Sequence, residues 1–197
     1  MFTGIVEEMG RVVRMLPADQ GVRIEVDGPL VSNGLRVGDS VAVNGVCLTV
    51  VATTPTGFAS DVVKETLDRT NLGALRPGWS VDLERPMKAS GRFDGHIVQG
   101  HVDGVGHVAS LTPEGDGVRM KITIPGNLER FVVEKGSITI DGVSLTVAGL
   151  MKGGFEVALI PHTLAVTVLG KRAPGDQVNL EVDVIAKYVE RLLGERT

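Results

Sequence analysis

Gly45-Val46-Cys47-Leu48-Thr49-Val50 returns 97 residues later as Gly142-Val143-Ser144-Leu145-Thr146-Val147. The same shift of 97 lays Gly57-Phe58 on Gly154-Phe155, Thr66-Leu67 on Thr163-Leu164, Leu72-Gly73 on Leu169-Gly170, Pro77-Gly78 on Pro174-Gly175 and Leu83-Glu84 on Leu180-Glu181. Nearer each start the shift is 96, pairing Gly4-Ile5-Val6 with Gly100-His101-Val102 and Gly21-Val22-Arg23 with Gly117-Val118-Arg119, as a one-residue loop indel would leave. Matches this long and collinear mark a duplication. The period is too long for a solenoid repeat and suits a self-sufficient domain.

Within each copy the signals are those of strands. Val41 to Val51 alternates around a turn at Asn44-Gly45, and Val118 to Ile124 and Ile138 to Val147 behave alike. Gly and Pro punctuate each copy at the spacing of an all-β sandwich or barrel, and closure into a barrel would remove the exposed edges of so small a sheet. One short helix is expected from Thr66 to Leu72, capped by Thr66 and ended by Gly73, and again from Thr163 to Leu169 with Gly170. Pro86, Ser90 and Gly91 interrupt the pattern between Arg85 and Gly95, which reads as a linker. The expected units are residues 1–86, residues 97–183 and a tail, 184–197. In that tail Ile185, Tyr188, Val189 and Leu192 share one face of a helix from Val184 to Leu193.

Composition narrows the function classes. The chain of 197 residues is 43% hydrophobic, with a net charge of −4 and only 4% aromatic residues. It has no lysine and arginine stripe, so it lacks the charge and stacking platforms of a nucleic-acid groove. Cys47 is the sole cysteine, which rules out an intrachain disulfide and suggests a reducing compartment. No secretory leader is expected at Met1-Phe2-Thr3-Gly4, and no apolar run approaches a membrane span. These features describe a cytoplasmic protein.

Strand alternation singles out candidate residues. Val46, Leu48 and Val50 face one side while Cys47 and Thr49 face the other; Ser144 and Thr146 form the matching pair. Such pairs could be the solvated outside of a barrel, but free surface positions drift, and both copies keep theirs. The copies differ in polarity: Ile5 corresponds to His101, Cys47 to Ser144, Asn44 to Asp141 and Pro86 to Asp183. A duplicated binder with acid and base groups in one half suggests two similar ligands in unequal roles. His101 titrates nearest neutrality and suits general acid or base work. His96 and His107 are spaced for no standard metal motif. Cys47 reads equally as a small buried hydrophobe. Asp183 precedes the last helix and reads equally as its N-cap. Lys64 and Glu65 read as a solvated strand end. The chain contains no phosphate loop, dinucleotide fingerprint or hydrolase elbow.

Met-Phe-Thr-Gly-Ile-Val-Glu-Glu at the start resembles the opening of the riboflavin synthase α-chain family. Asn44–Val50, Val63–Leu67, Gly95–Val102, Asp141–Val147, Ile160–Leu164 and Asn179–Asp183 are similar to that family's other signatures, so the resemblance spans the whole chain. It implies two tandem six-stranded Greek-key β-barrels followed by a short α-helix that holds a homotrimer together. The active site would lie between one subunit's N-terminal barrel and a neighbour's C-terminal barrel. The implied reaction is a dismutation of two 6,7-dimethyl-8-ribityllumazine molecules, giving riboflavin and 5-amino-6-ribitylamino-pyrimidinedione without any cofactor or metal. Association with lumazine synthase is a further implied partnership. The same fold also admits a non-catalytic optical protein that binds a lumazine or a flavin.

The resemblance places Phe2, Ser40, Cys47, His101, Ser144, Thr146 and Asp183 around the reacting rings. One ring and its ribityl tail would be held by Gly4, Ile5 and Val6, by Cys47, Leu48 and Thr49, and by Asp61, Val62, Val63, Lys64, Glu65 and Thr66. The other would use Gly100, His101, Val102, Lys135, Ser144, Leu145 and Thr146, with Leu159, Ile160, Pro161, His162, Thr163 and Leu164. His101 and Ser144 are expected to assist proton transfer or nucleophile addition, with Asp183 orienting Ser144.

Overall fold

A computed structural model describes residues 1–194. The first copy forms β1 (Glu8–Ala18), β2 (Gly21–Asp27), β3 (Ser40–Val43), β4 (Val46–Thr53), β5 (Gly57–Val63) and β6 (Ser80–Glu84). The second forms β7 (Gly104–Glu114), β8 (Gly117–Thr123), β9 (Ser137–Ile140), β10 (Val143–Met151), β11 (Gly154–Leu159) and β12 (Gln177–Val182). Each set closes into an antiparallel six-stranded barrel. Around the first, the order is β1-β2-β5-β4-β3-β6, and the second repeats it strand for strand. Because β2 pairs with β5 and β3 with β6, the chain crosses the barrel in Greek-key fashion between β2 and β3.

Alternation explains the closure. Ile24, Val26, Val41, Val43, Phe58 and Leu83 point inward in the first barrel. Met120, Ile122, Ile138, Ile140, Phe155 and Leu180 occupy the corresponding places in the second. Asn44 (φ +46°) and Gly45 (φ +75°) make the tight turn between β3 and β4, repeated by Asp141 (φ +50°) and Gly142 (φ +84°). Two successive positive φ values suit the twist of a two-residue hairpin. These turns also bring the barrels together, since a Cβ on Gly45 would stand 2.6 Å from the backbone nitrogen of Gly142 and one on Gly142 2.7 Å from that of Gly45.

The helices begin earlier than the sequence suggests. The α1 turn spans Pro29–Ser32, and α2 runs Lys64–Arg69 with Val63, not Thr66, at its N-cap. A separate 3₁₀ turn follows at Asn71–Ala74 and contains Gly73. Thr70 divides the two, its hydroxyl donating to the Thr66 carbonyl at 2.6 Å and accepting the Leu72 N–H at 3.3 Å. The second copy repeats this with α3 (Pro161–Val166), Thr167 and a 3₁₀ turn at Val168–Lys171. The threonine that ends one helix and caps the next turn thus stands where a single continuous helix was expected.

The tail forms α4 (Val184–Gly194). Asp183 caps it, its Oδ1 accepting the Ile185 N–H at 2.9 Å. Lys187 pairs with Asp103 and Glu190 with Arg130, tying the polar face to the second barrel. The face carrying Ile185, Tyr188, Val189 and Leu192 stays exposed. Residues 195–197 of the expected tail lie outside the described residues.

Candidate functional site

The β3–β4 hairpin sets the first cluster. Ser40 pairs with Thr49 and Ala42 with Cys47, so the four share the outer face of the barrel. In the second barrel Ser137 pairs with Thr146 and Thr139 with Ser144. Cys47 and Ser144 are half-buried, Thr49 and Thr146 exposed, and Val46 and Val143 face the cores. The face is therefore neither bare solvent-facing surface nor core: something covers it at Cys47 and Ser144.

That cover comes from the segments ahead of each barrel, and they are exchanged. The Gly4 carbonyl accepts the Ser144 N–H at 2.7 Å, and the Gly100 carbonyl accepts the Cys47 N–H at 2.9 Å. Val6 packs on the core of the second barrel and Val102 on that of the first. Within the chain, then, Gly4 lies on Ser144 and Val6 on the second core, whereas Gly100 lies on Cys47 and Val102 on the first core, and Ile5 opens beside Ser40 of the first barrel. Neither crossing point tolerates a side chain, because a Cβ on Gly4 would stand 2.6 Å from Ser144 Cβ and one on Gly100 2.6 Å from Cys47 Cβ. Phe2 and Val98 bridge to each other where the two segments pass. Phe2 is fully buried against Ala42, Val98 and Cys47. It buttresses Cys47 and presents no surface of its own to a ligand.

The second barrel's face gains a residue that sequence reasoning passed over. His96 Nδ1 lies 2.7 Å from Ser144 Oγ. Burial holds the His96 imidazole below its ordinary value, and the nearby Asp183 carboxylate pulls it partly back. A neutral ring can accept the serine proton. Where Asp183 was expected at Ser144, Ser144 bonds to His96, and Asp183 caps α4 while its charge acts on that imidazole. The place of His96 beside Ser144 carries no local sequence signal, since it depends on how the linker returns across the Gly4 segment, where its N–H meets the Thr3 carbonyl at 3.1 Å.

The remaining candidates divide by orientation. Leu48, Val62 and Leu159 are buried in the cores, so only their backbones are free for a ligand. Leu145 and Leu164 are half-buried against the second core. Val63 and Ile160, equivalent residues at the N-caps of α2 and α3, are 49% and 59% exposed and flank the two outer faces as apolar shoulders. Thr66 and Thr163 are half-buried beside them, while Pro161 and His162 are exposed in the first turn of α3. Lys64 pairs with Asp68 and Glu65 with Arg69 along α2. Asp61 holds Arg23 through both oxygens, which keeps its carboxyl below the usual range. Lys135 sits in a turn at φ +67°, its N–H bound to the Val147 carbonyl. Ser40 and Ile5 open onto a cavity of about 720 Å³, which Leu35, Arg36, Met87 and Lys88 also line. Among the described residues no helix is long and apolar enough to cross a membrane.

Two equivalent outer faces, each a small polar pair under a strap of backbone, suit two copies of a flat ligand with hydrogen-bonding edges. The lumazine binding domain family matches the chain twice, at residues 3–86 and 99–183. Riboflavin synthase of Mycobacterium tuberculosis is 53% identical, the match covering 98% of each chain. Those of Actinobacillus pleuropneumoniae and Bacillus subtilis are 45% and 42% identical over 98% of this chain and 90% of theirs. Among solved structures, LumP complexed with riboflavin superposes with a TM-score of 0.85 at 27% identity, covering 92% of this chain and 99% of that one. LumP complexed with 6,7-dimethyl-8-(1'-D-ribityl) lumazine superposes at 0.83 with 26% identity and the same coverage.

Proposed function

The chain belongs to the riboflavin synthase family, and from that premise we propose that it converts two molecules of 6,7-dimethyl-8-ribityllumazine into riboflavin and 5-amino-6-ribitylamino-pyrimidinedione. One lumazine donates a four-carbon unit to the other. The observation that carries this reading is the pair of matched polar faces, Cys47 with Thr49 and Ser144 with Thr146, one per barrel. Two identical substrates call for two related pockets, and a duplicated domain supplies them.

The chemistry needs a proton removed from the C7 methyl of one ring, whose negative charge the lumazine itself delocalises. The protein's part is then to hold two rings in reactive register and to manage protons. Ser144, with the neutral His96 at its hydroxyl, serves proton transfer or nucleophile addition at the second face, and Asp183 stabilises a charge that arises on His96. At the first face Cys47, Thr49 and His101 take the corresponding places. Val63 and Ile160 supply apolar contact for the rings. On this reading Asp61, Thr66 and Lys135 would contact ribityl hydroxyls.

The exposed stripe of α4 supports self-association, and a homotrimer that joins the first barrel of one subunit to the second of another would bring unlike faces together. Association with lumazine synthase would bring the source of the substrate close. A half-buried lone cysteine supports a cytoplasmic setting. The likeness to LumP favours a second reading, a binding protein without turnover, at about half the identity seen with the M. tuberculosis synthase. One experiment separates them. Protein dialysed against a chelator is incubated with the lumazine alone and watched for riboflavin fluorescence, with the two products expected in equal amounts. Binding without riboflavin would leave only the second reading.

A further inference from the structure

Near the end of each barrel's last strand stands a buried glutamate whose carboxylate is committed to the segment ahead of that same barrel. Glu84 Oε1 accepts the Thr3 N–H at 2.7 Å and the Thr3 hydroxyl at 2.8 Å, and its Oε2 accepts the Gly4 N–H at 3.0 Å. Glu181 Oε1 accepts the Gln99 N–H at 2.7 Å, and its Oε2 accepts the N–H groups of Gly100 and His101 at 2.9 and 3.0 Å. Gly4 and Gly100 both stand at φ +77°, which turns consecutive N–H groups toward one point. Burial pushes both carboxyls up, and these donors pull them back, with Lys187 adding its charge at Glu181.

The other side of each segment lies on the opposite barrel. The carbonyl of Gly100 bonds to Cys47 in the first barrel, and that of Gly4 to Ser144 in the second. We propose that Glu84 and Glu181 are positioning residues that act crosswise: Glu181, on the second barrel, sets the backbone over Cys47 in the first, and Glu84, on the first barrel, sets the backbone over Ser144 in the second. This deepens the reading of the two outer faces as half-sites and rests on it. A purely local role makes the reverse assignment, because Glu84 shares a cross-strand row with Ala42 and Cys47 in its own barrel.

Cys47, the only cysteine, reports on this directly. When the Gly100 segment lifts, the thiol beneath it opens to solvent. In the full-length protein, Glu181→Gln should raise the rate at which an aromatic disulfide reagent modifies Cys47 by about tenfold or more, and by at least about threefold more than Glu84→Gln, which reaches Cys47 only through Phe2 beside Thr3. Far-UV circular dichroism checks that both variants fold. Glu181→Asp, whose carboxylate stops one methylene short, should give a smaller rise and serves alone if Glu181→Gln does not fold. A faster thiol in Glu84→Gln than in Glu181→Gln, equal rates in the two, or no change on altering Glu181 would overturn the crosswise assignment. The readout needs no turnover. A wild-type chain that makes no riboflavin would sink the synthase reading and leave the thiol comparison standing.

Discussion

Asp82 Oδ1 accepts the N–H of Val168 across the barrel interface at 2.9 Å, while Asp82 Oδ2, equally buried, has no partner among the described residues. Asn179 occupies the equivalent place in the second barrel. Its Oδ1 accepts the Asn71 N–H at 2.7 Å, and its amide donates to the Asn44 carbonyl at 2.8 Å and to Asn71 Oδ1 at 2.9 Å. One position is fully satisfied and the other is not.

A change of Asp82→Asn should therefore stabilise the protein. Burial holds the Asp82 carboxyl well above its ordinary value, and the neighbouring Asp141 carboxylate adds to the shift. The folded state keeps a proton that the unfolded state releases, so the wild type loses stability as pH rises above the ordinary carboxylate range. The asparagine does not titrate and can donate as Asn179 does. We expect a gain of about 1–2 kcal/mol at neutral pH, shrinking as pH falls toward the ordinary carboxylate value, measured by urea unfolding across that range. A gain that does not vary with pH would mean Asp82 is ionised in the fold.

Ser144→Ala and His96→Gln should each lower turnover by more than about tenfold while leaving lumazine binding within about threefold, the pattern of groups that act in the transition state. Because His96 is held below the ordinary imidazole value, the acid limb of the wild-type pH profile should fall below about pH 6.5 and disappear in His96→Gln. His101→Gln is measured beside them. Full activity in all three would show that positioning of the rings suffices.

Residues 1–86 expressed alone should fold and form a dimer. The Gly4 carbonyl, deprived of Ser144, finds the same geometry at the Cys47 N–H of another copy, and the Gly45 turns can meet as Gly45 and Gly142 do. Light scattering reads the mass, and fluorescence of a bound lumazine tests the site. An unfolded fragment would contradict a self-sufficient first domain, and a folded monomer would contradict the strap finding Cys47 of another copy.

If the proposed trimer is held by α4, replacing Tyr188 and Leu192 with Glu should dissolve it, since both lie on the exposed face of that helix at 67% and 68% exposure. Like charges brought together around an axis are costly when desolvated. Light scattering should show monomers with intact β circular dichroism, and riboflavin formation should fall with assembly. Wild-type turnover by a monomer would remove the need for a site shared between subunits.

The barrels were legible because strand period, the Asn44-Gly45 turn and the repeat all agree on one structure. The helices end three residues before the expected Leu72 and Leu169 because Thr70 and Thr167 act as breaks through side-chain bonds to backbone, which helical pattern alone does not reveal. The polar pairs at Cys47 and Ser144 followed from alternation along one strand. Their covers did not: the match of Gly4 with Gly100 says that the two are equivalent, and says nothing about which barrel each one touches. His96 escaped for the same reason, since its bond to Ser144 joins the linker to a strand far along the chain.

The exchange of straps orders events during synthesis. On the ribosome the first barrel can close once Glu84 has emerged, yet Cys47 stays bare until Gly100 to Val102 follow. The opening residues, the first to be made, have no second-barrel surface to settle on until β10 appears. The first face thus waits for the start of the second copy and the second face for β10, so a chain released before Gly100 completes neither from its own residues.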